Sequence, residues 1–144
     1  MSAHSTIAPN TLRIKNYADG KRNQLVLVID DSPAVRDTLC KILAYLGYDV
    51  VSACNGEEGM EVFHARVPDI VVTDIIMPEK EGIETIKEMR KADPDVGIIA
   101  ISAGGSGTGP CYLKMATDLG ANRTLQKPFR ITELADIVEE LAVA

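Results

Sequence analysis

Five side chains of complementary chemistry stand where apolar runs end. Asp30 and Asp31 close the run 25–29, Asp74 closes 70–73, Ser102 closes 97–101, and Lys127 follows Thr124-Leu125-Gln126. Three carboxylates brought together repel one another strongly. A hard divalent ion relieves that repulsion. Carboxylates with a backbone carbonyl and water suit Mg²⁺, which keeps several waters and often meets a phosphate as well. No His or Cys stands at these positions, which argues against zinc. A lysine pairs with carboxylate at rest or with phosphate oxygen when phosphate is present. A serine hydroxyl donates to another oxygen. Metal, ammonium and hydroxyl together surround the three equatorial oxygens of a phosphoryl group in transfer. Asp74 is then the in-line nucleophile, forming an acyl phosphate.

Each residue alone has a plainer reading. Asp30 can cap a helix with Asp31 solvated, and Asp74 can be a turn residue before Pro78. Ser102 can be an ordinary strand-end hydroxyl, and Lys127-Pro128 plain loop chemistry. Those readings do not explain why all of them fall at strand ends. His4 and His64 have no partner spacing and receive no role. Phe129 is read as packing behind the site.

The elements that must position these groups are legible as alternating strands and helices. Residues 25–30 form a buried strand, a short apolar run without alternation. Ser32 and Pro33 start a helix, with Val35, Leu39, Ile42, Leu43 and Leu46 on one face, and Gly47 stops it. A second strand covers 48–54. Asn55 with Glu58 resembles a capping box for a helix carrying Met60, Val62 and Phe63, which Pro68 ends. The strand 69–74 and a loop through Pro78 to Gly82 follow. A third helix carries Ile83, Ile86 and Met89 and ends near Asp93-Pro94. A fourth strand covers 97–102. The glycine-rich segment 103–110 leads to a short helix ending at Leu119-Gly120. A strand at about 122–126 and a helix with Leu134, Ile137, Val138 and Leu141 complete the chain. Five strands alternating with five helices imply parallel βαβ units with right-handed crossovers, an α/β sandwich. In such sheets, sites lie beyond the carboxyl ends of the strands.

The 144 residues suit one domain. Residues 1–24 lack a clear period and are read as an N-terminal extension, with Ile14 and Tyr17 able to dock on the domain. The net charge of −6 argues against a broad nucleic-acid-binding surface. No run approaches a membrane span, and the N-terminus has no apolar core of a secretory signal. Cys40, Cys54 and Cys111 match no metal spacing and read as reduced structural cysteines of a cytoplasmic protein.

Taken together, Val28-Ile29-Asp30-Asp31, Asp74-Ile75-Ile76-Met77-Pro78 with Gly82, Ile101-Ser102-Ala103 and Lys127-Pro128-Phe129 resemble the response-regulator receiver domain of two-component signalling. The resemblance covers about residues 25–143. It implies a flavodoxin-like (βα)5 doubly wound sandwich whose five-stranded parallel sheet has the order 2-1-3-4-5, in a receiver domain at 25–144. It implies that Asp74 is the phosphoacceptor and that Asp31 binds Mg²⁺ directly, with Asp30 acting directly or through water. The Ile76 backbone carbonyl is a further ligand, Ser102 the switch hydroxyl and Lys127 the phosphate-binding lysine. The implied donor is a phosphohistidine on a sensor histidine kinase or phosphotransfer protein. The output is then a downstream partner protein, with no direct DNA binding and no membrane, from a monomer or a phosphorylation-dependent dimer. The domain is a phosphoacceptor and not an enzyme with substrates of its own.

Two positions depart from the family pattern. Thr124 stands where receivers often carry Phe or Tyr, and Tyr112 is the candidate substitute. Gly104, Gly105, Gly107 and Gly109 give unusual backbone freedom after Ser102, so phosphorylation is expected to order that segment in place of turning an aromatic ring. Ile76 is a branched apolar residue that would hinder an attacking water, which implies a long-lived acyl phosphate. The alternatives are a phosphorelay shuttle or a fragment of a longer regulator, an aspartate-nucleophile phosphohydrolase, and a flavodoxin-like flavin protein. The hydrolase would want an acid where Ile76 stands, and a flavin phosphate would be repelled by Asp30-Asp31.

Overall fold

The computed structural model describes residues 23–75, 81–103 and 109–142. β1 (Leu25–Ile29) and β3 (Ile70–Asp74) are buried along their whole length, as the apolar runs 25–29 and 70–72 require of strands covered on both faces. With β2 (Asp49–Ala53), β4 (Gly97–Ala103) and β5 (Arg123–Lys127) they form one parallel sheet of order β2-β1-β3-β4-β5. This is the order that the sequence resemblance implies.

Four helices make the crossovers, α1 (Pro33–Tyr45), α2 (Gly56–Arg66), α3 (Glu81–Ala92) and α4 (Gly109–Leu119), and α5 (Ile131–Ala142) follows β5. On one face of the sheet, Leu27, Ile29, Val71, Ile98 and Ala100 pack against Met60 and Phe63 of α2, Ile83, Ile86 and Met89 of α3, and Ala116 of α4. On the other, Val26, Val28, Val72, Ile99 and Ile101 meet Leu39 and Leu43 of α1 and Leu134 and Val138 of α5. Each Val, Leu, Ile, Met or Phe among them contributes about 1.5–3 kcal/mol on burial. These two layers hold the strand ends level with one another.

The helix starts follow the sequence signals. The Ser32 hydroxyl accepts from the Val35 N–H at 3.3 Å, with Pro33 in the first turn. Leu46, expected on the apolar face of α1, is instead exposed, because the helix ends at Tyr45 and Leu46 caps it. Gly47 then turns the chain at φ 103°. At α2, the Asn55 side chain accepts from the Glu58 N–H at 2.8 Å, and Glu58 Oε1 accepts from the Cys54 N–H at 2.7 Å. The return bond therefore reaches one residue further upstream than in the usual capping box. That N–H holds the Glu58 carboxyl below its ordinary range, and the neighbouring Glu58 pushes the Cys54 thiol up.

Asn23 is buried and donates to the Asp49 side chain at 3.4 Å. Cys40 is half-buried and Cys54 exposed, and both are free thiols. Among the described residues no helix is long and apolar enough to cross a membrane. Several sequence expectations lie outside the described residues: the extension through residue 22, the loop 76–80 with Ile76 and its carbonyl, and the glycine-rich stretch 104–108. The side chain of Tyr112 lies outside them too.

Candidate phosphoacceptor and metal site

Register explains why the acidic residues meet. Ile29 of β1 is level with Thr73 of β3, so the next residues, Asp30 and Asp74, stand side by side at the end of the sheet. Side chains alternate along a strand. Asp30 and Asp74 fall on the parity of Val26, Val28 and Val72, and Lys127 falls on the parity of Leu125, so all three share the face toward α1 and α5. On β5 the register sets Lys127 level with Ala103.

Asp30 is 1 % exposed and Asp74 7 % exposed. Lys127 Nζ lies 3.7 Å from Asp30 Oδ2 and 3.5 Å from Asp74 Oδ2. Asp31 is exposed, and one carboxylate oxygen from each of Asp30, Asp31 and Asp74 lies within 4.8 Å of the others. The structure thus brings together four of the five side chains singled out in the sequence. The fifth, Ser102, is fully buried near the end of β4. It sits one residue past Ile101, the register partner of Asp74, and pairs with Gln126 of β5.

The backbone around the cluster is fixed by specific bonds. Asp30 Oδ1 accepts from the Ser32 N–H at 2.8 Å. Ser32 and not Asp30 therefore caps α1. Thr73 Oγ1 donates to the Asp74 carbonyl at 3.1 Å, and the Ile75 N–H donates to Ile101 O at 2.9 Å. Gly82 brings α3 against the end of β3. A Cβ there would stand 2.5 Å from both Asp74 O and Ile75 Cα, closer than any side chain permits.

Whether these residues suit a hard cation is answered by one atom. Asp30 Oδ2 is buried and has no hydrogen-bond partner. The Lys127 ammonium 3.7 Å away offsets its charge only in part, and a divalent ion is the partner that an all-oxygen cluster would take. Charge agrees: three carboxylates against one lysine leave a formal excess of two negative charges. Asp30, Asp31 and Asp74 fit Mg²⁺.

Arg36 was not singled out in the sequence. It sits in the first turn of α1, and its Nη1 donates to the Asp30 carbonyl at 2.7 Å. The signal available was a cation at a helix N-terminus, the end where the helix dipole disfavours positive charge.

Comparison with known proteins places these features in context. The model of the response regulator receiver domain matches residues 26–139. Chemotaxis protein CheY of Thermotoga maritima is 37% identical over 85% of this chain and 98% of its own length. "Probable transcriptional regulator ycf27" of Guillardia theta is 38% identical over 81% of this chain, which spans only 44% of that relative. Among solved structures, a response regulator receiver domain protein from Clostridium thermocellum superposes with a TM-score of 0.76 at 26% identity, covering 82% of this chain and 93% of that one.

Proposed function

Because this chain belongs to the response regulator receiver domain family, we propose that it accepts a phosphoryl group on Asp74 from a phosphohistidine and presents the change to a partner protein. The family is one of phosphoacceptor signalling domains, not of enzymes with turnover of a separate substrate. The observation that carries the reading is the placement of Lys127 Nζ within 3.7 Å of both buried carboxylates, beside a third acid.

In this reading an Asp74 carboxylate oxygen attacks phosphorus in line with the departing imidazole. The oxygen–phosphorus bond forms as the phosphorus–nitrogen bond breaks, and the histidine nitrogen keeps the bonding electrons. Lys127 releases its hold on Asp74 Oδ2 and pairs with a phosphoryl oxygen. Ser102, near the end of the adjacent strand, supplies a hydroxyl to another. Asp30, Asp31 and Asp74, with the Ile76 carbonyl implied by the family resemblance, would hold Mg²⁺. Bound there, Mg²⁺ supplies positive charge against the phosphoryl oxygens.

The output surface we assign is α4, β5 and α5. Met115 is 42 % exposed and Ile131 57 % exposed there, large apolar groups left to solvent. Arg123 and Glu140 form an ion pair that ties β5 to α5, and the half-buried Thr124 occupies the position where an aromatic would couple site to surface. The phosphoryl donor would be a sensor histidine kinase or a phosphotransfer protein, in the cytoplasm. A match along 98% of the length of the chemotaxis protein CheY, at 37% identity, supports a receiver that works as a separate protein. The chain spans less than half of the ycf27 relative, which favours as a second reading the receiver portion of a longer regulator. Immunodetection of the native protein's size in its host separates the two.

Transfer from a panel of phosphorylated histidine kinases to the purified chain tests the proposal. Label on the wild type and none on Asp74→Asn is expected; equal labelling of both would overturn it.

A further inference from the structure

Arg36 stands where a helix least favours a cation. It lies in the first turn of α1, whose N–H groups already point positive charge at the strand ends. Its side chain turns back six residues, and Nη1 donates to the Asp30 carbonyl at 2.7 Å. The same residue's Oδ1 is taken by the Ser32 N–H at 2.8 Å. Asp30 is therefore held at its carbonyl and at one carboxylate oxygen, and only the buried Oδ2 lacks a hydrogen bond.

The peptide unit is planar. A bond that fixes the Asp30 carbonyl also fixes the direction in which the chain enters Asp31. Asp31 is exposed. Its carboxylate nevertheless lies within 4.8 Å of those of Asp30 and Asp74. The constraint that sets its approach is the backbone, and Arg36 is the side chain that grips it.

We propose that Arg36 is a positioning residue of the divalent-cation site: by holding the Asp30–Asp31 peptide it aims the two carboxylates that, with Asp74, receive the ion. This rests on the reading of the cluster as a Mg²⁺ site. It touches neither the ion nor the phosphoryl group. Outer groups that orient metal ligands are typically worth about 10–100-fold in metal affinity.

The sign of the effect separates positioning from simple charge. A guanidinium near the carboxylates repels a cation, so if Arg36 acted only as a charge, removing it would tighten metal binding. If it positions the peptide, removing it weakens binding despite the lost repulsion.

The experiment is a titration of the full chain with Mn²⁺, followed by electron paramagnetic resonance of the free ion, with Mg²⁺ as competitor and no phosphodonor. Wild type, Arg36→Ala, Arg36→Gln, Arg36→Lys and Asp31→Asn are compared, and far-UV circular dichroism in chelator reports folding. We expect Mn²⁺ affinity to fall about tenfold in Arg36→Ala and to recover partly in Arg36→Lys, which keeps a donor. Should Arg36→Ala not fold, the same order, with wild type above Arg36→Lys and Arg36→Gln, decides the matter. Folded variants that bind Mn²⁺ as tightly as wild type, or more tightly, overturn the inference while leaving the carboxylate site intact. Binding unchanged in Asp31→Asn would instead refute the site itself, and the inference with it.

Discussion

Lys127 Nζ lies 3.5 Å from Asp74 Oδ2, although β4 stands between the strands that carry them. The lysine sits at the end of an edge strand with 26 % of its side chain exposed and reaches inward over β4 to a carboxylate that is 9 % exposed. The pair combines a partly solvated cation with a buried anion. That is the arrangement expected if the cation must let go of one oxygen and take another.

Lys127→Ala is predicted to slow phosphoryl transfer by about 100-fold or more, the usual cost of deleting one charge-stabilising donor. The same change leaves two buried carboxylates without their ammonium, so stability should fall by about 1–3 kcal/mol in chelator. Mg²⁺ should restore part of that loss by taking the vacated role. Rapid-quench transfer kinetics and urea unfolding with and without Mg²⁺ measure the two effects.

Gly82→Ala tests the backbone contact behind Asp74. A Cβ at 2.5 Å from Asp74 O and Ile75 Cα meets main chain, which no rotamer change relieves. Overpacking of this kind costs about 1–3 kcal/mol. Because the atom displaced belongs to Asp74, phosphoryl transfer should fall in protein that is still folded. Unfolding and transfer assays on one preparation check both.

Glu58 predicts a pH signature of the α2 start. Its folded carboxyl lies below the ordinary range because it accepts the Cys54 N–H. A depressed carboxyl stabilises the fold above its unfolded pKa, and the contribution is lost as pH falls through the folded value. Glu58→Gln should therefore lower the melting temperature at neutral pH, with the difference shrinking as acid is added below the ordinary glutamate pKa. Paired melts across that range read the effect; a constant difference would reject the assignment.

Ile76 gives a prediction from sequence. Its branched apolar side chain, two residues past the acceptor, should exclude an attacking water and leave the acyl phosphate alive for minutes or longer in purified protein. Ile76→Ala should shorten that lifetime.

Much of this was legible because it is written locally. The apolar runs 25–29 and 70–72, the Ser32-Pro33 start and the Ile83, Ile86, Met89 stripe each declare themselves within a few residues, and all are buried or capped as expected. The approach of Asp30, Asp31, Asp74 and Lys127 was legible because parallel βαβ order sends every strand end to one side. Contacts between distant residues were not legible. Arg90 donates to Gly120 O at 2.9 Å and to Asn122 Oδ1 at 2.7 Å, a link between α3 and the entry to β5 that nothing near Arg90 announces. The Arg36 bond is close in sequence, yet it depends on a side chain folding back over its own helix. The apolar pattern also carried α1 too far, since Leu46 fits the stripe but lies past the end of the hydrogen-bonded helix.

The central claim is that Asp74 itself becomes the acyl phosphate. Borohydride reduces an aspartyl phosphate to homoserine and leaves free carboxylates untouched. The direct measurement is peptide mass spectrometry of the full chain after phosphoryl transfer with Mg²⁺, borohydride reduction and digestion. Homoserine at position 74 alone, absent in chelator and strongly reduced in Lys127→Ala over the same short reaction time, is the predicted result. Homoserine at position 30 or 31, or a phosphoryl group retained on Ser102, would contradict it.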